Sequence, residues 1–409
     1  MVTGRTDCGM MYAVKRSGSA VAYCALSIKC GTRDEGGYCS GIAHFVEHTI
    51  FKGTLKKSSA VINSYLDKLG GELNAYTTKE EIVLYATVLK EDLLKAASLL
   101  LELATSPVFP EDEIRKEKGV VLDEINSYKD SPSEEIYDKF EELLFSGHPL
   151  AGPILGTASS VRKIRRDDLL SFVSSKFVPE NMAFTVVADF GEPWMEKKIV
   201  SLSGRFFGAG KNEPERQCYP PVKLDSRFDL TVNRRNHQVN CVIGNYAPTL
   251  YAGRERTAVL LLCNILGGPA SNSILNSVLR EKNGWVYGVE CSYTQYADTG
   301  VAAVSFGCDK SNHEKCLHAI RREIGKLQDD PLSPARLKAA KKQFLGQLAV
   351  ASDNGESQCL SMGKSLLSYG EVISSGQMRG QVESVTSMEL QGAARSVFDA
   401  GSCSSLTYL

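Results

Sequence analysis

Two of the six histidines in this 409-residue chain stand four positions apart, His44 and His48, with Glu47 beside the second. On a helix, residues i and i+4 share a face, so both imidazoles can meet one metal ion. Glu47 then lies next to the ion without binding it, where its carboxylate can take a proton from an attacking water. Two histidines leave a hydrolytic zinc one protein ligand short of the usual three plus water. The missing ligand should be an acid or a histidine on another element. The run EIRKEKGVVLDEI supplies Glu117 and Glu124, seven apart and on one helical face. An acid facing inward needs a partner. Glu124 as third ligand, with Glu117 supporting it or shuttling a proton, meets that need. The pattern reads as a site for one Zn2+ per chain, held by His44, His48 and an acid of this pair.

The elements that must position these residues follow from periodicity. MMYAVKR and AVAYCALSIKCG read as strands. SGIAHFVEHTIF reads as a helix with Ser40 as its N-cap. SSAVINSYLDKLGG is a helix stopped by two glycines, and ELNAYTTKEEIVLYATVL a strand pair. EDLLKAASLLLELATS and PEDEIRKEKGVVLDEINSYKDS are amphipathic helices, the second opening with Pro110 and acids that suit the helix dipole. A strand at NMAFTVVADF follows. Residues 205–223 lose apolar periodicity and carry three prolines and two glycines, which marks a linker.

Beyond the linker the order repeats. FDLTVNR and VNCVIGNYA are strands, ERTAVLLLCNILGG and SNSILNSVLREKNG helices, and VYGVECSYTQYADTGVAAVSFGC a strand pair. Two more helices come next. The expected fold is α+β: two homologous domains, residues 1–204 and 224–409, each an antiparallel-rich sheet covered by helices. The repeat also serves as a control. His44, Glu47 and His48 fall on a stretch like TAVLLLC, Glu124 falls on Gln347, and Glu117 on Ala340. The competing reading, a pair of core histidines with satisfied hydrogen bonds, would have the second copy need them as well.

Composition narrows the rest. The chain has 47 basic and 48 acidic residues, which favours neither nucleic acid nor an anionic membrane as partner. No run approaches the ~20 apolar residues that span a bilayer, and no apolar leader core opens the sequence. A cytoplasmic location is the expectation. Twelve cysteines without a CxxC pair read as buried thiols rather than a disulfide framework.

At KCGTRDE (29–35), AHFVEHTIFKGT (43–54), GGELNAYTTKE (70–80), EKGVVLDEI (117–125) and LGGPASNSILNSVLREKNGWVYGV (266–289), the chain resembles the pitrilysin-type, inverted-zincin metallopeptidases. Its length is similar to the small two-domain branch. The resemblance implies a zinc endopeptidase acting on oligopeptides or unfolded, presequence-like segments. It puts zinc on His44, His48 and Glu124, the base on Glu47 and an auxiliary acid on Glu117. Asn74 and Ala75 match an edge strand to which the peptide adds as a further β-strand. Arg280 and Tyr287 match a pair that binds substrate and stabilises the reacting carbonyl. The resemblance further implies a site completed across two chains, in a homodimer or, less simply, a heterodimer. Family members that lost the chemistry set the alternative: a non-catalytic scaffold or subunit of a heteromeric processing peptidase.

Overall fold

The structure, a computed structural model, describes residues 1–208, 219–222, 227–234 and 237–409. The chain forms two compact units that interleave in sequence. One comprises Met1–Asn126, Gly152–Cys218 and Val350–Ile373; the other comprises Ser127–Ala151, Tyr219–Ala349 and Ser374–Leu409.

The first unit holds strands β1 (Val2–Arg5), β2 (Met11–Arg16), β3 (Val21–Ile28), β4 (Glu72–Thr77), β5 (Ile82–Leu89) and β6 (Met182–Ala188). They form one sheet in the order β1-β2-β6-β3-β5-β4, antiparallel except where β2 runs parallel to β6. Alternation along β3 shows how the sheet is covered. Ala22, Cys24, Leu26 and Ile28 enter the larger core, whereas Ala25 enters a separate core on the opposite face. Helices α1 (Ile42–Ile50), α2 (Ser59–Asp67), α3 (Leu93–Thr105) and α4 (Glu111–Lys129) contribute to the larger core.

α5 (Pro132–Leu144) belongs to the other unit. α6 (Ala158–Lys163), α7 (Arg166–Lys176) and α8 (Glu192–Phe207) complete the larger core of the first unit. Its opposite face is covered from far along the chain, by Cys359, Met362, Leu366 and Leu367.

The second unit repeats the plan with β7 (Asp229–Val232), β8 (Val239–Ala247), β9 (Val286–Gln295), β10 (Gly300–Cys308) and β11 (Ser404–Tyr408). Their order is β7-β11-β8-β10-β9, antiparallel except β7 with β11. Strand for strand this repeats the order and sense of β2-β6-β3-β5-β4. α9 (Gly253–Gly267), a wide helical segment Asn276–Lys282, α10 (His313–Asp329) and α11 (Pro334–Ala351) follow the first copy's sequence of helices. α12 (Gly355–Tyr369) is the helix that covers the first sheet, and α5 covers the second in the equivalent way. α13 (Ser375–Ser384) and α14 (Ser387–Val397) precede β11.

The expected linker differs in part. Its first residues, Arg205–Phe207, complete α8, while 209–218 and 223 lie outside the described residues. Eleven described cysteines are free thiols, and nine of them are buried; Cys218 lies outside the described residues. Among the described residues, no helix is long and apolar enough to cross a membrane.

Candidate metal centre

α1 is anchored before it is functional. Ile42, Phe45, Val46 and Ile50 are fully buried, each contributing about 1.5–3 kcal/mol. Ser40 is not its cap. The N-cap is Gly41, with φ 88°, and no side chain of its own serves the first turn. A Cβ at Gly41 would lie 2.8 Å from Gly156 Cα, so both the left-handed backbone and the close approach require glycine. The free N–H groups are met from outside: Gly41 N and Ala43 N each donate to the Glu35 carboxylate at 2.9 Å. Ser160 Oγ donates to Ser40 O at 2.7 Å.

The same local sequence ties α1 to the loop joining β4 and β5. Buried Arg33 pairs with Glu80, and a Cβ on Gly31 would collide with the Lys79–Glu80 backbone at 2.3 Å. After α1, Thr54 Oγ1 donates to buried Glu102 of α3 at 2.6 Å, and Lys57 pairs with the same carboxylate. KCGTRDE and FKGT are therefore braces for α1 and β4.

α1 and α4 bring His44, His48 and Glu124 together, with one ligand atom of each within 4.8 Å of the others. Glu124 Oε2 lies 3.3 Å from His48 Nε2 and 3.8 Å from His44 Nε2. Glu117, 7% exposed, places Oε2 3.2 Å from His48 Nδ1 and Oε1 2.8 Å from Lys52 Nζ. Its pairing with Lys52 makes Glu117 an acceptor, so His48 donates through Nδ1–H and presents Nε2 toward Glu124. Burial, and then the charge of His48, push the His44 pKa down to about 3, which keeps that imidazole neutral. Glu124 Oε2 is buried with no hydrogen-bond partner. Two imidazole nitrogens and a carboxylate oxygen thus converge on one point. That arrangement is costly alone and is satisfied by a cation. A zinc with ligands at about 2.0–2.2 Å suits two nitrogens and one carboxylate oxygen at these separations.

Glu47 is half-buried at this centre. Its carboxylate accepts from Thr77 Oγ1 at 2.6 Å. Burial raises its pKa, opposed by the Thr77 hydrogen bond and by His48. Asn74 and Ala75 lie in β4, the outermost strand of the first sheet, so among the described residues one side of that strand lacks a neighbour in the sheet. Arg280 and Tyr287 belong to the second unit and are both exposed. Tyr287 donates its hydroxyl to Asp309 at 2.9 Å. In that unit the helices equivalent to α1 and α4 carry no ligands. Val259, Leu262 and Cys263 of α9 are core residues, and Gln347 accepts from Asn264 at 2.8 Å.

Sequence reasoning missed Lys52, Thr77 and Glu35. Their only signal was membership of the motif blocks, since lysine in a turn, threonine in a strand and glutamate in a loop are ordinary.

Residues 11–158 match the family described as Insulinase (Peptidase family M16), and residues 163–344 the one described as Peptidase M16 inactive domain. The uncharacterized zinc protease YmxG of Bacillus subtilis (strain 168) is 28% identical over 375 residues, covering 91% of this chain and 89% of the relative. An uncharacterized zinc protease of Streptomyces coelicolor is 30% identical over 375 residues, covering 90% and 80%. A crystal structure of a protease from Helicobacter pylori superposes with a TM-score of 0.90 at 20% identity, covering 100% of this chain and 99% of that one. A peptidase M16 inactive domain from Pseudomonas fluorescens gives 0.88 at 18%, covering 100% and 97%. At those identities the two structures speak for the fold.

Proposed function

The chain belongs to the insulinase family, peptidase family M16, and from that membership we propose that it is a zinc-dependent endopeptidase. Its substrates are oligopeptides and unfolded, presequence-like segments. The observation that carries the reading is the donor set itself: the imidazoles of His44 and His48 and a buried carboxylate oxygen of Glu124 converging on one point, with Glu47 alongside.

His44, His48 and Glu124 would hold the ion. Zinc, when bound, supplies a Lewis acid that polarises the scissile carbonyl and makes water a competent nucleophile near neutral pH. Glu47 takes the proton from the attacking water and returns it to the leaving amine. Glu117 fixes the tautomer and ring orientation of His48. The peptide adds as a strand to β4 at Asn74 and Ala75, where main-chain hydrogen bonds need no particular side chains. That mode requires an extended chain, hence the preference for unfolded segments. Arg280 and Tyr287 bind the substrate, and the Tyr287 hydroxyl stabilises the oxyanion. The working form is a homodimer in which each centre is served by Arg280 and Tyr287 of the other copy.

The test is Glu47→Gln. It should retain about one zinc per chain by metal analysis and lose cleavage of a quenched-fluorescence peptide library. Turnover retained in that variant removes Glu47 as the base. Wild-type protein that binds zinc and cleaves no peptide returns the chain to the scaffold reading.

A further inference from the structure

We propose that Thr77 is the positioning residue for Glu47, so that one strand both registers the peptide and aims the base. The inference rests on the peptidase reading above and extends it to a residue outside the metal ligands and the base.

Thr77 ends β4, and its hydroxyl donates to Glu47 Oε2 at 2.6 Å. An acceptor-only carboxylate fixes the direction of that bond. Alternation along the strand puts Leu73, Ala75 and Thr77 on one face. Leu73 and Ala75 pack against the core that contains α1, whereas Tyr76 packs against the core of the opposite face. Thr77 therefore occupies a position where the strand otherwise uses apolar side chains. Valine would satisfy β-propensity there equally well, so the hydroxyl is the feature that the strand itself does not need.

The bond has mechanical content. A glutamate has several rotatable bonds, and holding one rotamer costs side-chain entropy. Glu47 is half-buried on α1 beside His48, and its carboxylate accepts the Thr77 hydroxyl. Threonine is stiff about χ1, and its backbone is held in register by the pairing of Thr77 with Ile82 of β5. The carboxylate is thus referenced to the sheet as well as to its own helix. Its reference point lies two residues from Ala75, where the added peptide strand would run.

The experiment compares Thr77→Val, Thr77→Ser and Glu47→Gln with wild type in steady-state peptide cleavage, zinc content and crystallography. Thr77→Val should lower kcat by about 10- to 100-fold with little change in KM, as misplacement of a reacting group does. Its zinc content and Tm should match wild type, and Glu47 should spread over more than one rotamer. Thr77→Ser, which keeps the hydroxyl, should recover most of kcat and a single Glu47 rotamer. Unchanged kcat with an ordered Glu47 in Thr77→Val would overturn the inference. So would a loss confined to KM or zinc content, or a serine variant as poor as the valine one. Failure of the underlying reading looks different: Glu47→Gln would then cleave like wild type, or wild type would not cleave at all.

Discussion

Glu117 divides its two oxygens between Lys52 and His48, and that division fixes how the second imidazole faces the metal centre. Removing the ammonium in Lys52→Met leaves one carboxylate oxygen without its partner and frees the group to turn away from His48 Nδ1. Partners of metal ligands typically account for about 10- to 100-fold in metal affinity. Lys52→Met and Glu117→Gln should each weaken zinc binding within that range, read by competition with a chelator of known affinity. Binding as tight as wild type in Lys52→Met would reduce the contact to a surface ion pair. The convergence of His44, His48 and Glu124 was legible because histidine is rare in this chain and the spacing is helical. Lys52 and Thr77 were not, because their partners lie 65 and 30 positions away and only the packing of α4 and β4 against α1 names them.

Helices and strands were legible where a period runs uninterrupted, as in the β4–β5 pair and in α4. Their ends were less so. Ser40 has the chemistry of an N-cap, yet Gly41 takes the position because the backbone at Gly156 leaves no room for a Cβ, and Glu35 supplies the acceptor. Where a cap is local, it carries its own pH signature. α14 opens with Thr386 and Glu389 in a reciprocal box, Glu389 accepting from Thr386 N at 2.7 Å and Thr386 Oγ1 accepting from Glu389 N at 3.2 Å. Arg254 of α9 adds a bond to the same carboxylate at 2.6 Å. These partners, Arg254 first, pull the Glu389 pKa from 4.5 down to about 2. A depressed acid stabilises the fold fully above its unfolded value, and that stabilisation is lost as pH falls toward the folded one. Wild type should therefore exceed Glu389→Gln in Tm above about pH 4.5, with the difference closing between there and about pH 2. A difference that stays constant over that window would assign the effect to packing instead of charge.

At the scale of the whole chain, the two copies share a scaffold and differ in the chemistry-bearing residues they carry. Strand order and sense repeat from β2–β6 to β7–β11, while the candidate metal-ligand cluster occurs in the first copy alone among the described residues. The repeat was legible because element order survives sequence drift. The exchange of α12 and α5 between the units was not, since no local pattern says which sheet a helix will cover. The division of chemistry makes the proposed homodimer testable without a structure. Glu47→Gln lacks a base but keeps Tyr287; Tyr287→Phe keeps the base but lacks the hydroxyl. Unfolded and refolded together at equal amounts, half of the dimers pair one variant with the other. Each mixed dimer then holds one centre with Glu47 of one copy and Tyr287 of its partner. Cleavage should rise to about a quarter of the wild-type rate, well above the sum of the separately refolded variants. If Tyr287 acts on the metal centre of its own chain, no mixed dimer contains an intact pair. The mixture then stays at the average of its parents, and the exchange of residues between copies is wrong.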